Sequence, residues 1–256
     1  MKASIGRRRV AVLAYTPRSR EFARRALRSL GYAPLVFSAV DELEAMGSRV
    51  ASLDMLLLGD VPEVDCQGRM ALAEGIAAVG PRVPVLHAPL NRRGVPRPPE
   101  PSGARVQRAA PRYFAELYGA IVRFMAAHRF DSAPSRLAWD GHVFHPMDRT
   151  VAVDGEEVKL DAVAFDVALE LFFNAGRPLS RKWLRRMLPL GEHGANWHSI
   201  DNLPVTIDDL CVAIRLDQAK GWRLERLPED SYCLRRVGRA DHPPARSIGR
   251  RVVPAR

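Results

Sequence analysis

The stretch from Thr150 to Leu188 limits what this chain can fold into more than any other part of it. It reads TVAVDGEEVKLDAVAFDVALELFFNAGRPLSRKWLRRML. Two short β segments, Thr150–Val153 and Glu157–Leu160, flank Asp154-Gly155, a pair suited to the positive φ angles of a two-residue hairpin turn. Asp161 stands at an N-cap position, and Phe165, Ala168, Leu169 and Phe172 recur at helical spacing until Gly176 and Pro178 end the pattern. Ser180 can cap a second helix with Trp183, Leu184, Met187 and Leu188 on one face. Its other face carries Arg181, Lys182, Arg185 and Arg186.

This run resembles the winged-helix domain of OmpR/PhoB-type response regulators. In that family a small antiparallel sheet precedes Leu-Thr, two residues, Glu-Phe, then Leu pairs, then Gly-x-x-x-Ser-Arg at the start of the next helix. The corresponding residues are Leu160-Asp161, Ala164-Phe165, Val167-Ala168 and Gly176 through Arg181. Ala164 replaces the acid that would complete a capping box with Asp161, which weakens the cap and leaves the fold expectation intact.

At 256 residues the chain has room for two domains with separate cores. No run reaches the roughly 20 apolar residues of a membrane helix, and Arg7-Arg8-Arg9 precedes a β-like run rather than a secretory segment. A soluble cytoplasmic protein without membrane attachment is the expectation. Cys66, Cys211 and Cys233 are odd in number and far apart, so they predict buried reduced thiols. The net charge of +10 sits at the ends: residues 1–30 hold 9 cations and 1 anion, and residues 235–256 hold 7 and 1. Residues 137–234 hold 11 cations and 16 anions, an acidic balance for a DNA-binding domain.

The N-terminal third alternates strands and helices. Strands are expected at Val10–Ala14, Leu35–Phe37, Met55–Leu58 and Val83–His87, with helices at Ser19–Leu30, Asp41–Met46 and Met70–Val79, a pattern that implies a parallel sheet covered by helices. Its punctuation resembles the receiver domain that usually partners an OmpR/PhoB-type effector, with Pro17 after the first strand, Leu53–Leu58 as the third strand and Ala110-Pro111 near the end. Receiver chemistry needs clustered carboxylates for a divalent metal, one of them to accept phosphate, a hydroxyl to sense it and a lysine. The corresponding positions read Ala14-Tyr15-Thr16, Gly59, Ala88 or Pro89, and Ala110. Fold without phosphotransfer chemistry, a pseudo-receiver, is what the resemblance implies. Asp60 is the neighbouring carboxylate, a weak candidate for phosphorylation that reads more plainly as a turn residue before Pro62.

Residues 89–111 are rich in Pro and cations and predict a loop, with a last strand at Ala104–Gln107 and the family's fourth helix lost. Tyr113–Ala127 predicts an amphipathic helix whose stripe is core or, as in the family, a dimer seam. The expected organisation is a receiver-like domain at 1–127, a linker at 128–136, a winged-helix domain at 137–236 and a basic, disordered tail at 237–256. In fold class this is α/β, a doubly wound receiver-like parallel sheet, followed by an α+β winged-helix domain. His142 and His145 lie in a β region and do not predict a metal site. The long loop 189–203 lies where the family can contact RNA polymerase.

A third helix is expected from a Thr206 cap to about Leu216, where the family places its recognition helix. Only Asp208 and Arg215 match the family's pattern there, and Asp209, Val212, Ala213 and Leu216 are expected to face outward, poor in the donors that read base edges. The wing strands are expected at Trp222–Leu224 and Tyr232–Leu234, around a tip, Pro228-Glu229-Asp230, that has lost the family's arginine and glycines. DNA contact is therefore assigned to Arg181, Lys182, Arg185, Arg186, Thr206, Arg215, Arg235 and Arg236, mostly through phosphates. The resemblance implies a transcription regulator that binds double-stranded DNA, allows a homodimer, and acts without aspartyl phosphorylation. The alternative is a protein-interaction module that modulates another regulator or RNA polymerase. No nucleophile and base pair, phosphate loop, metal set or cofactor motif is present, so no catalysis and no cofactor are expected.

Overall fold

The computed structural model describes residues 8–90, 105–133, 137–188, 203–216 and 221–237. Its first half is built on five all-parallel strands: β1 Val10–Leu13, β2 Leu35–Phe37, β3 Met55–Leu58, β4 Val85–His87 and β5 Val106–Arg108, in the order β2-β1-β3-β4-β5. That is the doubly wound order shared by flavodoxin-like and receiver domains. Successive residues of β1 and β3 feed opposite faces, so both faces are apolar, as a parallel sheet with crossover helices requires. Ala11, Leu13, Leu56 and Leu58 pack with Val40 and Leu43 of α2 (Val40–Glu44) and Ala71 of α3 (Ala71–Ala78). Val10, Val12, Met55 and Leu57 pack under α1 (Pro17–Ser29) and α4 (Phe114–Ala127).

The α1 helix begins two residues before the expected Ser19, because Thr16 is the N-cap, its Oγ1 accepting from Ser19 N–H at 3.3 Å, and Pro17 opens the first turn. A 3₁₀ turn at Gly47–Ser52 leads into β3 and was not expected. The last strand runs Val106–Arg108. The expected loop residues 91–104 lie outside the described residues, as do 134–136 of the linker, 189–202 of the long loop and the tail from 238.

The second half opens with a four-stranded antiparallel sheet, β6 Ala138–Trp139, β7 His142–His145, β8 Thr150–Val153 and β9 Glu156–Lys159. Val153 pairs with Glu156 across Asp154-Gly155, whose φ angles of 51° and 88° are those of the two-residue turn read from the sequence. Helix α5 (Ala162–Phe173) is capped by Asp161, whose Oδ1 accepts from Val163 N–H at 2.8 Å and Ala164 N–H at 2.9 Å. Short α6 (Arg181–Met187) follows, capped by Ser180 through Trp183 N–H at 3.1 Å, and α7 spans Leu203–Ala213. A hairpin of β11 Trp222–Leu227 and β12 Ser231–Arg236 closes the domain, with β10 (Leu179–Ser180) added to its edge. It is longer than expected and stands where a winged helix carries its wing.

The α4 stripe is spent inside the molecule. Phe114, Leu117, Tyr118, Ile121, Phe124 and Met125 are buried, and the cluster that contains them runs on without a break into the second half. Phe114 meets Phe22 of α1 edge to face at 5.5 Å and Phe173 of α5 at 6.4 Å, and Phe173 meets Trp139 at 5.2 Å. The expected linker is tied down as well: Phe130 is buried, Tyr32 donates its hydroxyl to the Asp131 carbonyl, and Ala133 N–H reaches Leu30 O at 3.0 Å. The halves share one apolar core.

Polar contacts fix the register of that docking. Asp166 on α5, 1% exposed, accepts from the backbone N–H of Phe114 at 3.1 and 3.2 Å and so caps α4 from the other half. Glu170, one turn further along α5 and fully buried, pairs with Arg25 of α1. Removing charges from water costs about as much as such contacts return, so they select one arrangement more than they add stability.

Candidate nucleic-acid interface

The cationic face of α6 forms because a seven-residue helix with Leu184 and Met187 buried must turn its remaining side chains outward. Lys182, Arg185 and Arg186 are exposed, and Arg181 is half-exposed, with Nη1 3.4 Å from Asp230 at the wing tip. On the hairpin, Arg235 pairs with Glu225 at 2.8 Å and Arg236 with Asp140 at 3.0 Å. The Arg223 hydrogen bond, with Arg235 beside it, holds the Glu225 carboxyl below its usual range. These are solvent-exposed pairs, weakened by water and salt, so a phosphate can displace the carboxylate from them at little cost.

The expected recognition surface needs correction at three residues. Thr206 is not an N-cap, because α7 is already helical at Leu203 with Pro204 in its first turn, so Thr206 lies one turn inside. Leu216 does not face outward: it is 2% exposed, folded back past the helix end by Leu216 N–H to Cys211 O at 2.9 Å, and it receives Leu224 N–H from the wing at 3.2 Å. Arg215 sits beyond the helix at φ 56°, ion-paired with Glu156 of the first sheet rather than on an outward helical face. What α7 exposes is Val205 at 60%, Val212 at 81%, Asp208 and Asp209. Asp208 is held by both Arg226 bonds at 2.9 Å, which braces α7 against the wing.

The wing tip adopts left-handed φ at Glu229 (59°) and Asp230 (50°), a conformation glycine meets without cost and these side chains do not. Among the three cysteines Cys233 is buried and Cys211 half-buried, but Cys66 is exposed, contrary to expectation; none of the three forms a disulfide. Fully buried His142 places Nε2 2.8 Å from Ile214 O, which ties β7 to the end of α7. Among the described residues no group of His, Cys, Asp and Glu is arranged to hold a metal.

At the carboxyl end of the parallel sheet, where a receiver holds its acids, the space is filled. A Cβ at Gly59 would lie 2.1 Å from Ser19 Oγ and 2.7 Å from Ala14 Cβ. Asp60 accepts from Thr16 N–H and donates its own N–H to Ser19 Oγ, both at 3.3 Å. Arg20 donates to the carbonyls of Ala14 at 3.0 Å and Tyr15 at 2.9 Å, so a fixed cation covers the carbonyl ends beside the acid-cluster positions. Burial, with Arg108 nearby, pushes the His87 imidazole at the end of β4 down to about 4, leaving it neutral at physiological pH.

Among the described residues a 2-1-3-4-5 parallel sheet is followed by an antiparallel sheet, three helices and a hairpin. The chain matches OmpR/PhoB-type response regulators in structure over about nine-tenths of its length. One similar structure is the response regulator DrrB, a Thermotoga maritima OmpR/PhoB homolog, at 14% identity and TM-score 0.33, covering 89% of this chain and 99% of that one. A receiver domain protein from Bacillus halodurans aligns at 20% identity and TM-score 0.35 over 50% of this chain and 98% of its own. A streptococcal redox sensor, from a family evolved from two-component response regulators, aligns at 11% identity and TM-score 0.33, over 89% and 100%. No protein-family model and no curated protein matches the sequence. At these identities and scores the likeness carries no argument, and the fold described above rests on the chain's own strand order, caps and hairpins.

The polar residues that join the two halves were missed in the sequence, although a signal was there. The α5 helix, AVAFDVALELFF, is apolar all round except for Asp166 and Glu170, four apart. A helix buried on every side must supply partners for its two acids.

Proposed function

We propose that this chain is a DNA-binding transcription regulator of OmpR/PhoB type that acts without aspartyl phosphorylation. The observation that carries the reading is the α6 row of Lys182, Arg185 and Arg186, exposed on a winged helix beside the basic strand end Arg235-Arg236. Backbone phosphates are its target, because α7 offers Val205, Asp209 and Val212 where base-reading donors would stand. Independence from phosphorylation is supported by the packing of Gly59 against Ser19 and Ala14. Residues 1–127 would act as a fixed platform, 137–236 as the effector, and 128–136 as the short join between them.

The test is duplex binding by the full chain, titrated against salt, on random and genomic DNA. Each phosphate contact contributes roughly 0.9 to the salt slope, so Arg185→Ala with Arg186→Ala is expected to lower the slope by about 2. No affinity for any duplex at low salt would sink the reading.

A second reading, a protein-contact module acting on another regulator or on RNA polymerase, is favoured by one surface. Val205, Thr206, Asp209, Leu210 and Ala213 line an open cavity of about 420 Å³ with Leu160 and Ala164. Asp209→Lys with Glu229→Lys should then abolish partner capture while leaving duplex binding unaffected or stronger.

A further inference from the structure

We infer that the receiver-like half positions the DNA-facing helix α6 directly, through a single buried carboxylate. Glu170 lies in the middle of α5 with no exposure, and its two oxygens serve different parts of the molecule. Oε1 takes Nη1 of Arg25, on α1 of the receiver-like half. Oε2 takes the indole Nε1 of Trp183 at 3.3 Å and Nδ2 of Asn174 at 3.2 Å. Arg25 is itself held, its guanidinium 4.4 Å from the Phe173 ring and its Nε 3.6 Å from Glu21. A continuous polar path therefore runs from α1 through Glu170 to the first turn of α6.

Trp183 stands between Arg181-Lys182 and Arg185-Arg186, so the rotation of its indole fixes how that cationic row is presented. The helix cannot fix this alone. Seven residues are well below the length at which a helix holds itself in water. Its only described side-chain cap is Ser180, and its apolar anchors, Leu184 and Met187, fix its depth more than its rotation. The indole N–H, aimed at an immobile carboxylate, supplies the directional constraint. Arg25 brings to Glu170, from the other half, its cationic partner in this apolar setting; without Arg25 the carboxyl would be a buried group lacking that partner, with nothing to hold it toward Trp183. Glu170 and Arg25 are positioning residues: they touch no DNA and act through Trp183.

This inference rests on the proposed DNA-binding role of α6, and the experiment separates the two. Hydrogen exchange is measured on the full chain for the α6 amides Lys182 to Met187, in the wild type, in Arg25→Met with Glu170→Gln, and in Trp183→Phe. Both variants are expected to exchange about tenfold faster in α6, the factor one charge-assisted hydrogen bond is worth, with α7 and the sheets unchanged. Duplex affinity should fall by about the same factor, at the wild-type salt slope, because every cation of the α6 row is kept. Arg185→Ala with Arg186→Ala should do the reverse, lowering the slope and leaving exchange alone.

Unchanged α6 exchange in Trp183→Phe overturns the relay. That variant keeps an aromatic ring at a half-buried site, so it decides the question even if the double variant fails to fold. Faster α6 exchange in the two variants, together with a wild-type chain that binds no duplex at low salt, would keep the relay and sink the DNA-binding reading instead.

Discussion

Gly59 gives the sharpest test of how tightly the carboxyl end of the parallel sheet is packed. Its φ is not in the left-handed region, so alanine there meets no dihedral penalty and the cost is purely one of space. The new methyl would lie 2.1 Å from Ser19 Oγ, 2.7 Å from Ala14 Cβ and 3.2 Å from Ser19 Cβ. Rotating the Ser19 hydroxyl relieves only the first contact and gives up the bond from Asp60 N–H. The other two involve atoms fixed by the backbone of β1 and α1, both buried, so the helix must move outward. Overpacking of this kind costs about 1–3 kcal/mol. With a urea dependence of roughly 2–3 kcal/mol per molar, a loss of about 2 kcal/mol lowers the unfolding midpoint by about 0.7–1 M. Removing Oγ with Ser19→Ala should recover part of that loss, with a coupling of roughly 0.5–3 kcal/mol in the double-mutant cycle. Gly59→Asp should be no better tolerated and should take no phosphoryl group from a small phosphodonor in the presence of magnesium. A Gly59→Ala chain as stable as the wild type, or a phosphorylated Gly59→Asp chain, would refute the packing argument.

Two further outcomes follow from the shared core. Phe114→Ala removes the ring that joins α1, α4 and α5, and is expected to cost about 3–5 kcal/mol; calorimetry should show a single transition that moves as a whole, and two separated transitions would contradict the continuous core. Burial pushes the Asp166 carboxyl up to about 8, against the pull of Arg18 and the Phe114 N–H. Between pH about 4 and about 8 the folded chain therefore keeps a proton that the unfolded chain has released, so stability should fall as pH rises through that window and level off above it. Asp166→Asn, which still accepts from Phe114 N–H, should flatten the profile; a profile unchanged by the substitution would show that Asp166 is already ionised in the folded chain.

What the sequence displayed was local chemistry. The Asp154-Gly155 turn and the caps at Asp161 and Ser180 each depend on neighbours within four residues, and each stands where the sequence puts it. The start of α7 was also legible in principle, since Pro204 belongs in a first turn and moves the cap ahead of Thr206. Leu216 was not, because helical phase fails once the chain leaves the helix, and Leu224 of the wing, eight positions on, pulls it inside. Arg25 and Glu170 lie 145 positions apart, and periodicity cannot pair residues across such a distance. The same holds for Asp166, whose partner is a backbone amide 52 positions away.

The aromatic contacts from Phe22 through Phe114 to Phe173 bear on how such a protein can be taken apart or recombined. Here a graft made at residue 130 would strip Phe173, Asp166 and Glu170 of the surfaces that cover and pair them. A working chimera must carry Arg25, Phe22 and Phe114 along with the second half, so the unit of inheritance is the pair of halves and not either one.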